Sequence, residues 1–381
     1  MSDDKSTPAA DETVRQEPAR PTSLDAALDT FSFTDGITDG AIEERQLDHR
    51  YAKQRELGRG GDGVVVAAID RKMQRPVAVK STHAKHTSRA DQLRFLREAR
   101  VTGQLNHPNV MPVYDIGTDP NGSLFFTMKE VTGQSLAQRL TGGQAGSMIE
   151  RLLVFRQVCN AIDFAHSRGV LHRDIKPANI MMGEFGEVLV VDWGLCKVLG
   201  ETPEDFENLT LKVSRDELET RQGQVAGTPA YMAPEQAQGQ IDALDNRTDI
   251  YALGALLYTL ITEKPPFKGP VHHVLEQVSQ GDFPSARSIA PKTVPRELDL
   301  IVQRAMSLEP ADRYQRVADL SDDIQAFIEE RPVNSVDYSW IQRTSKWASR
   351  NKRVVRPVAT TLMLALLALG VGGLVHLNQL A

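Results

Sequence analysis

The chain has 381 residues, room for one large domain or two small ones, and its 41% hydrophobic and 25% charged content is that of an ordinary globular enzyme. Its 44 basic residues against 50 acidic ones leave a net charge of −6, which argues against nucleic acid as a partner. Two cysteines are too few for a disulfide or metal framework and fit a reducing compartment. Cys159 lies in an apolar helical pattern and reads as core filler, while Cys196 reads as a reduced, semi-exposed thiol.

Residues 1–45 are rich in Asp, Glu, Pro, Ser, Thr and Ala. They cannot bury enough apolar surface to offset their ordering entropy, so a disordered acidic tail is expected, with Leu24 to Phe33 as a candidate docking segment. No basic start followed by an apolar run marks a signal peptide. From Tyr51 the pattern changes. Val64 to Val66 and Val77 to Val79 read as strands with a turn at Asp70-Arg71, and Leu124 to Met128 as another strand. Between them, Leu93, Leu96 and Val101 space a helix over 91–104. After Ile149 helices dominate, at 152–166, 248–261, 272–280, 296–306 and 317–330. A strand-rich part followed by a helix-rich part predicts an α+β chain of two lobes.

The loop Gly58-Arg59-Gly60-Gly61-Asp62-Gly63 sits between two strand candidates, where glycines let backbone amides approach phosphates. Asp62 at its tip places an acid where approaching phosphates would repel it. Further on, His172-Arg173-Asp174-Ile175-Lys176-Pro177-Ala178-Asn179 and then Asp192-Trp193-Gly194 bring two carboxylates, a lysine and an amide into one stretch. That set suits phosphoryl transfer from ATP. With Val77-Ala78-Val79-Lys80 upstream and Ala233-Pro234-Glu235 downstream, the chain resembles the eukaryotic-like, or Hanks-type, bacterial Ser/Thr protein kinases over residues 51–331.

The resemblance implies a bilobal kinase fold, with a strand-rich lobe over about 51–131 and a helical lobe over about 132–331. It implies that Lys80 holds the α- and β-phosphates of ATP and that Glu98 positions Lys80. It gives Asp174 the substrate hydroxyl proton, Lys176 the charge on the transferred group, and Asn179 and Asp192 the Mg²⁺, with Mn²⁺ as an alternative. Lys176 before Pro177 resembles the Ser/Thr-specific branch. Trp193 replaces the usual Phe and can fill the same packing slot. Gly58, Gly60 and Gly63 would cover the phosphates, and Val65, Ala78 and Met181 would sandwich adenine. Met128 would guard the back pocket, and the backbone of Lys129 and Val131 would meet the adenine edge. Thr228 is expected near Asp174 and Lys176, Glu235 is expected to pair with Arg313, and Asp249 to start the central helix. Arg173 would receive a phosphate from an activating residue, Thr220, with Thr210 and Ser214 as alternatives. Protein substrates carrying Ser or Thr are implied as partners. A second copy of the chain, as a homodimer, is allowed. A pseudokinase scaffold is the rival reading.

After Pro332, residues 332–356 form a basic linker with Arg343, Lys346, Arg350, Lys352, Arg353 and Arg356. From Pro357 to Ala381 no charged residue occurs. As a helix, 357–377 would be ~30 Å long, matching a bilayer core. Positive charge on the near flank places the kinase body on the cytoplasmic side of a single membrane span, held by lipid.

Overall fold

A computed structural model describes residues 50–60, 63–82, 89–119, 122–199, 229–336 and isolated positions between 338 and 370. Outside the described residues lie the tail 1–45, the loop tip Gly61-Asp62, the segment 200–228 with Thr210, Ser214, Thr220 and Thr228, and most of 357–377. Residues 1–41 and 42–381 are separate units, and the architecture below belongs to the second.

Five antiparallel strands open it: β1 (Tyr51–Gly60), β2 (Gly63–Asp70), β3 (Arg75–Ser81), β4 (Val113–Thr118) and β5 (Leu124–Lys129). Their order in the sheet is β1-β2-β3-β5-β4. Alternation sorts the faces. Val77, Val79 and Phe125 point to one side and pack with Tyr51 and Ala68. Leu124 and Phe126 point to the other, against Phe95 and Ala99 of helix α1 (Arg89–Gln104). The glycine-rich hairpin closes with Gly60 opposite Gly63. Gly63 has φ +145°, and a Cβ there would collide with the Ser81 carbonyl oxygen, so only glycine fits.

Asp70, expected in a turn, instead ends β2 and is buried. Its carboxylate accepts from Arg50 Nη2 at 3.0 Å and from the Lys72 amide at 3.0 Å, which offsets the cost of burial.

A short β6 (Gly133–Ser135) leads to α2 (Leu136–Thr141) and α3 (Met148–Ser167). Ser147 and Glu150 cap α3 reciprocally. Then come β7 (Val170–Leu171), β8 (Ile180–Gly183), β9 (Val188–Val190), β10 (Lys197–Val198), α4 (Pro234–Ala237) and α5 (Asn246–Thr262). Every residue of α5 from Thr248 to Thr262 is buried, so it reads as apolar on all sides, the mark of a core helix. A side chain at Gly254 would press within 2.8 Å of Ala305 Cβ, which keeps α5 against α8. The rest are α6 (Val271–Gln280), α7 (Ala286–Ile289), α8 (Arg296–Ala305) and α9 (Val317–Ile328).

Both cysteines are buried. For Cys196 this corrects the expected semi-exposed thiol. Its amide donates to the Trp193 carbonyl at 3.1 Å, a tight turn that carries the residue inward.

Past α9 the chain is pinned to the helical lobe. Buried Asp323 accepts from the Tyr314 hydroxyl and the Asn334 amide, both at 2.8 Å, from the Ser335 amide at 3.2 Å, and from the Ser335 hydroxyl. Lys346 reaches back to Glu297 at 3.3 Å. Among the described residues no helix is long and apolar enough to cross a membrane.

Candidate active site

The loop between β7 and β8 carries His172 to Asn179 and is anchored from below by α5. Asp249 is fully buried in the first turn of α5, whose cap is Asp245. Asp249 thus lies in the first turn of α5, as the sequence predicts, while Asp245 caps it. Its carboxylate accepts the His172 amide, the Arg173 amide and His166 Nε2, each at 2.8 Å. Burial pushes the Asp249 carboxyl up, and the bond from His166 with the backbone donors outweighs it, so the group lies below the usual carboxylate range.

Arg173 and Asp192 both have φ +66°, left-handed backbone that costs a non-glycine residue of order 1–3 kcal/mol. Two such residues in one site mark backbone that its surroundings hold in place. The His172 ring accepts the Asp174 amide at Nδ1, 3.2 Å, so Nε2 carries the hydrogen and donates to the Val191 carbonyl at 3.2 Å. Trp193 is fully buried against this ring, with centroids 4.5 Å apart. It occupies a core slot, as a Phe could.

At the loop's working end, Asp174 Oδ2 accepts from Lys176 Nζ at 2.7 Å and Asn179 Nδ2 at 2.9 Å. Burial pushes the Asp174 carboxyl above the usual range, the Lys176 ammonium opposes this, and Asp192 adds to the rise. The Asn179 amide nitrogen is committed to Asp174, which leaves its Oδ1 as the available donor atom. Gly194 joins this end to α1: a Cβ there would lie 3.5 Å from both Asp192 Oδ1 and Glu98 Oε2.

On the sheet, register places Val65 opposite Lys80, Ala78 opposite Met128 and Lys80 opposite Phe126, so Val65, Ala78, Lys80 and Met128 share one face. Lys80 Nζ binds both Glu98 oxygens, at 2.6 and 2.7 Å. Met128 packs beside the Phe95–Phe126 cluster. The Lys129 amide donates to the Pro112 carbonyl at 3.2 Å, so of its backbone only the carbonyl remains for an adenine edge. Val131 follows half-buried, and Met181 is half-buried on β8. Gly58 and Gly60 are exposed, and a Cβ on either meets nothing within 4 Å. That is a space a side chain would fill and a phosphate can enter.

The segment after the undescribed 200–228 ends in the expected ion pair. Arg313 Nη1 and Nη2 reach Glu235 Oε1 and Oε2 at 2.8 and 2.9 Å, with both side chains buried, and Thr248 adds a bond at 2.9 Å. Three groups escaped sequence reasoning: His166, the amide-binding role of Asp249, and Gln236, whose Nε2 donates to the Arg173 carbonyl at 3.0 Å. The partners of each lie more than 60 residues away or are backbone atoms, and neither leaves a local pattern.

The protein kinase domain family matches residues 51–328. The chain is 38% identical over 294 residues to serine/threonine-protein kinase PknD of Protochlamydia amoebophila, covering 73% of this chain and 30% of that one. It is 35% identical over 286 residues to serine/threonine-protein kinase PknB of Mycolicibacterium smegmatis, covering 74% and 43%. PknD of Chlamydia pneumoniae is 35% identical over 300 residues, with 74% and 31% covered. The chain thus spans well under half the length of these relatives.

Proposed function

The chain belongs to the protein kinase family, and on that premise we propose that it is a serine/threonine protein kinase that transfers the γ-phosphoryl group of ATP to Ser and Thr hydroxyls of proteins. The observation that carries the reading is the convergence of Lys176 and Asn179 on one Asp174 oxygen, at 2.7 and 2.9 Å, with the Lys80–Glu98 pair closed on the sheet.

In this reading Lys80, held by Glu98, binds the α- and β-phosphates. Gly58, Gly60 and Gly63 cover them with backbone amides, and Val65, Ala78, Met181, Met128, Lys129 and Val131 surround adenine. Asp174 orients the substrate hydroxyl and accepts its proton, and Lys176 offsets charge on the group in transfer. Asn179 Oδ1 and the Asp192 carboxylate are oxygen donors of the kind Mg²⁺ prefers. Two protein ligands suit an ion that takes its other ligands from phosphate and water. Bound there, Mg²⁺ supplies charge neutralisation at the phosphates; Mn²⁺ can take the same donors. Thr228 would contact Asp174 and Lys176, and a phosphate on Thr220 would pair with Arg173. Lys176-Pro177 favours Ser and Thr over Tyr.

Residues 357–377 would anchor the body to the cytoplasmic face of a membrane. Met363 and Leu364 support this: they are helical and 55% and 63% exposed, apolar side chains that need cover. Extraction tests it. The full chain should resist high salt and carbonate and leave membranes only with detergent, and release by salt would reduce the attachment to electrostatics.

The activity is tested with purified full-length protein, γ-labelled ATP, Mg²⁺ and a generic protein substrate. Phosphoserine and phosphothreonine are expected. ATP binding without transfer would make the chain a pseudokinase scaffold and overturn the reading; phosphotyrosine alone would overturn its specificity.

A further inference from the structure

The peptide joining Arg173 to Asp174 is gripped at both of its polar atoms. Its N–H donates to His172 Nδ1 at 3.2 Å, and its carbonyl accepts from Gln236 Nε2 at 3.0 Å. The residue before it, Arg173, sits in left-handed backbone at φ +66°, with its own amide held by Asp249 at 2.8 Å. Such a conformation persists only where neighbours over-determine it. Of the three restraints, the two from His172 and Asp249 come from the loop and the core helix. The third comes from Gln236, on the short helix α4 that contains Pro234 and Glu235.

The orientation of the Gln236 amide is dictated by its neighbours. The Ala233 amide, which can only donate, lies 3.1 Å from Oε1. Nε2 must then face the Arg173 carbonyl, which can only accept. A single side chain thus ties the Ala233–Pro234–Glu235 turn to the peptide that aims the Asp174 carboxylate. We propose that Gln236 is a positioning residue for phosphoryl transfer: it couples the Ala233–Pro234–Glu235 turn to the direction of Asp174. The inference rests on the proposed role of Asp174.

The test uses full-length protein and two substitutions. Gln236→Met keeps the length and loses both bonds. Gln236→Glu keeps the acceptor for Ala233 but turns lone pairs toward the Arg173 carbonyl. In both, kcat should fall by about tenfold to a hundredfold, the scale of a small misplacement of a reacting group. KM for ATP and Tm should stay near wild type. In Gln236→Glu the ratio of kcat to wild type should recover only as pH is lowered from about 7 toward about 5, where a glutamate begins to protonate and can donate to the carbonyl again. Unchanged kcat in Gln236→Met overturns the proposal. So does a loss of kcat that travels with loss of Tm and of ATP affinity, which would make Gln236 a plain brace. Hydrogen exchange of peptides covering 168–180 needs no turnover: Gln236→Met should exchange faster there, and unchanged exchange overturns the positioning claim. If the wild-type chain transfers no phosphate, the proposed activity fails, and the exchange comparison still decides whether Gln236 holds the loop.

Discussion

Along β1 every residue from Lys53 to Gly60 is exposed, and Gly58 and Gly60 have open space where side chains would be. In the loop from His172 to Asn179, by contrast, His172, Ile175, Pro177 and Asn179 are buried, and the amides of residues 172, 173 and 174 are all claimed by side chains. Both regions bind groups of the same reaction in the proposed function. The difference follows from what each must do. A lid over phosphates has to admit and release a ligand, so its backbone is left open. A carboxylate that orients a hydroxyl must be aimed before the substrate arrives, so its backbone is fixed by the core.

The comparison can be broken at the rigid end first. Asp174→Asn should lower phosphoryl transfer by ~10²–10⁴-fold, the usual contribution of a positioned base, while Tm stays close to wild type. Near-normal autophosphorylation of that variant would remove Asp174 from the chemistry.

The second probe removes a support outside the loop. Glu235→Ala leaves the Arg313 guanidinium buried and unpaired, a loss of ~3–5 kcal/mol, or a Tm fall on the order of 10 °C in a domain of this size. Thermal denaturation measures it. A fall no larger than that of an exposed pair, such as Arg316→Ala beside Asp319, would mean the buried pair is not a clamp.

The soft end should respond differently. Gly60→Ala adds a side chain where nothing of the protein stands, so Tm should hold and KM for ATP should rise several-fold with little change in kcat. A drop in Tm would show that the hairpin glycine serves folding rather than ligand access.

The smallest effect is in pH. Burial pushes the Glu235 carboxyl up, the Arg313 guanidinium outweighs it, and the group lies below its ordinary range. The sign is therefore that of a depressed acid: its stabilisation is complete above the unfolded value of about 4.3 and is lost as pH falls through the folded value. Tm should stay level from neutrality to about pH 5 and decline below it, and Glu235→Gln should flatten part of that decline.

Much of the framework was legible in the chain. The helices centred on Phe155, Leu256 and Ile324 lie where apolar spacing puts them. The Lys80–Glu98 and Glu235–Arg313 pairs follow from a family pattern whose motifs are contiguous. What stayed hidden is tertiary. Asp249 suits a helix start so well on charge alone that nothing local hints at amides 76 and 77 residues upstream. Asp70 reads as a turn because turns favour Asp, and its burial depends on Arg50 across the hairpin. Cys196 gives no periodic signal, since it lies on a tight turn rather than on a helix or strand.

The Asp323 network and the Lys346–Glu297 contact have a mechanical consequence. They carry the chain's attachment to the helical lobe past the end of α9 as far as Lys346, and ten residues, 347–356, separate Lys346 from Pro357. However that stretch is arranged, the eleven steps from Lys346 to Pro357 span at most about 40 Å. If 357–377 sits in a bilayer, that distance bounds how far the helical lobe can stand from the membrane. Protein targets on the same membrane surface would then be met by a two-dimensional search, and proteins away from it would have to come to that surface.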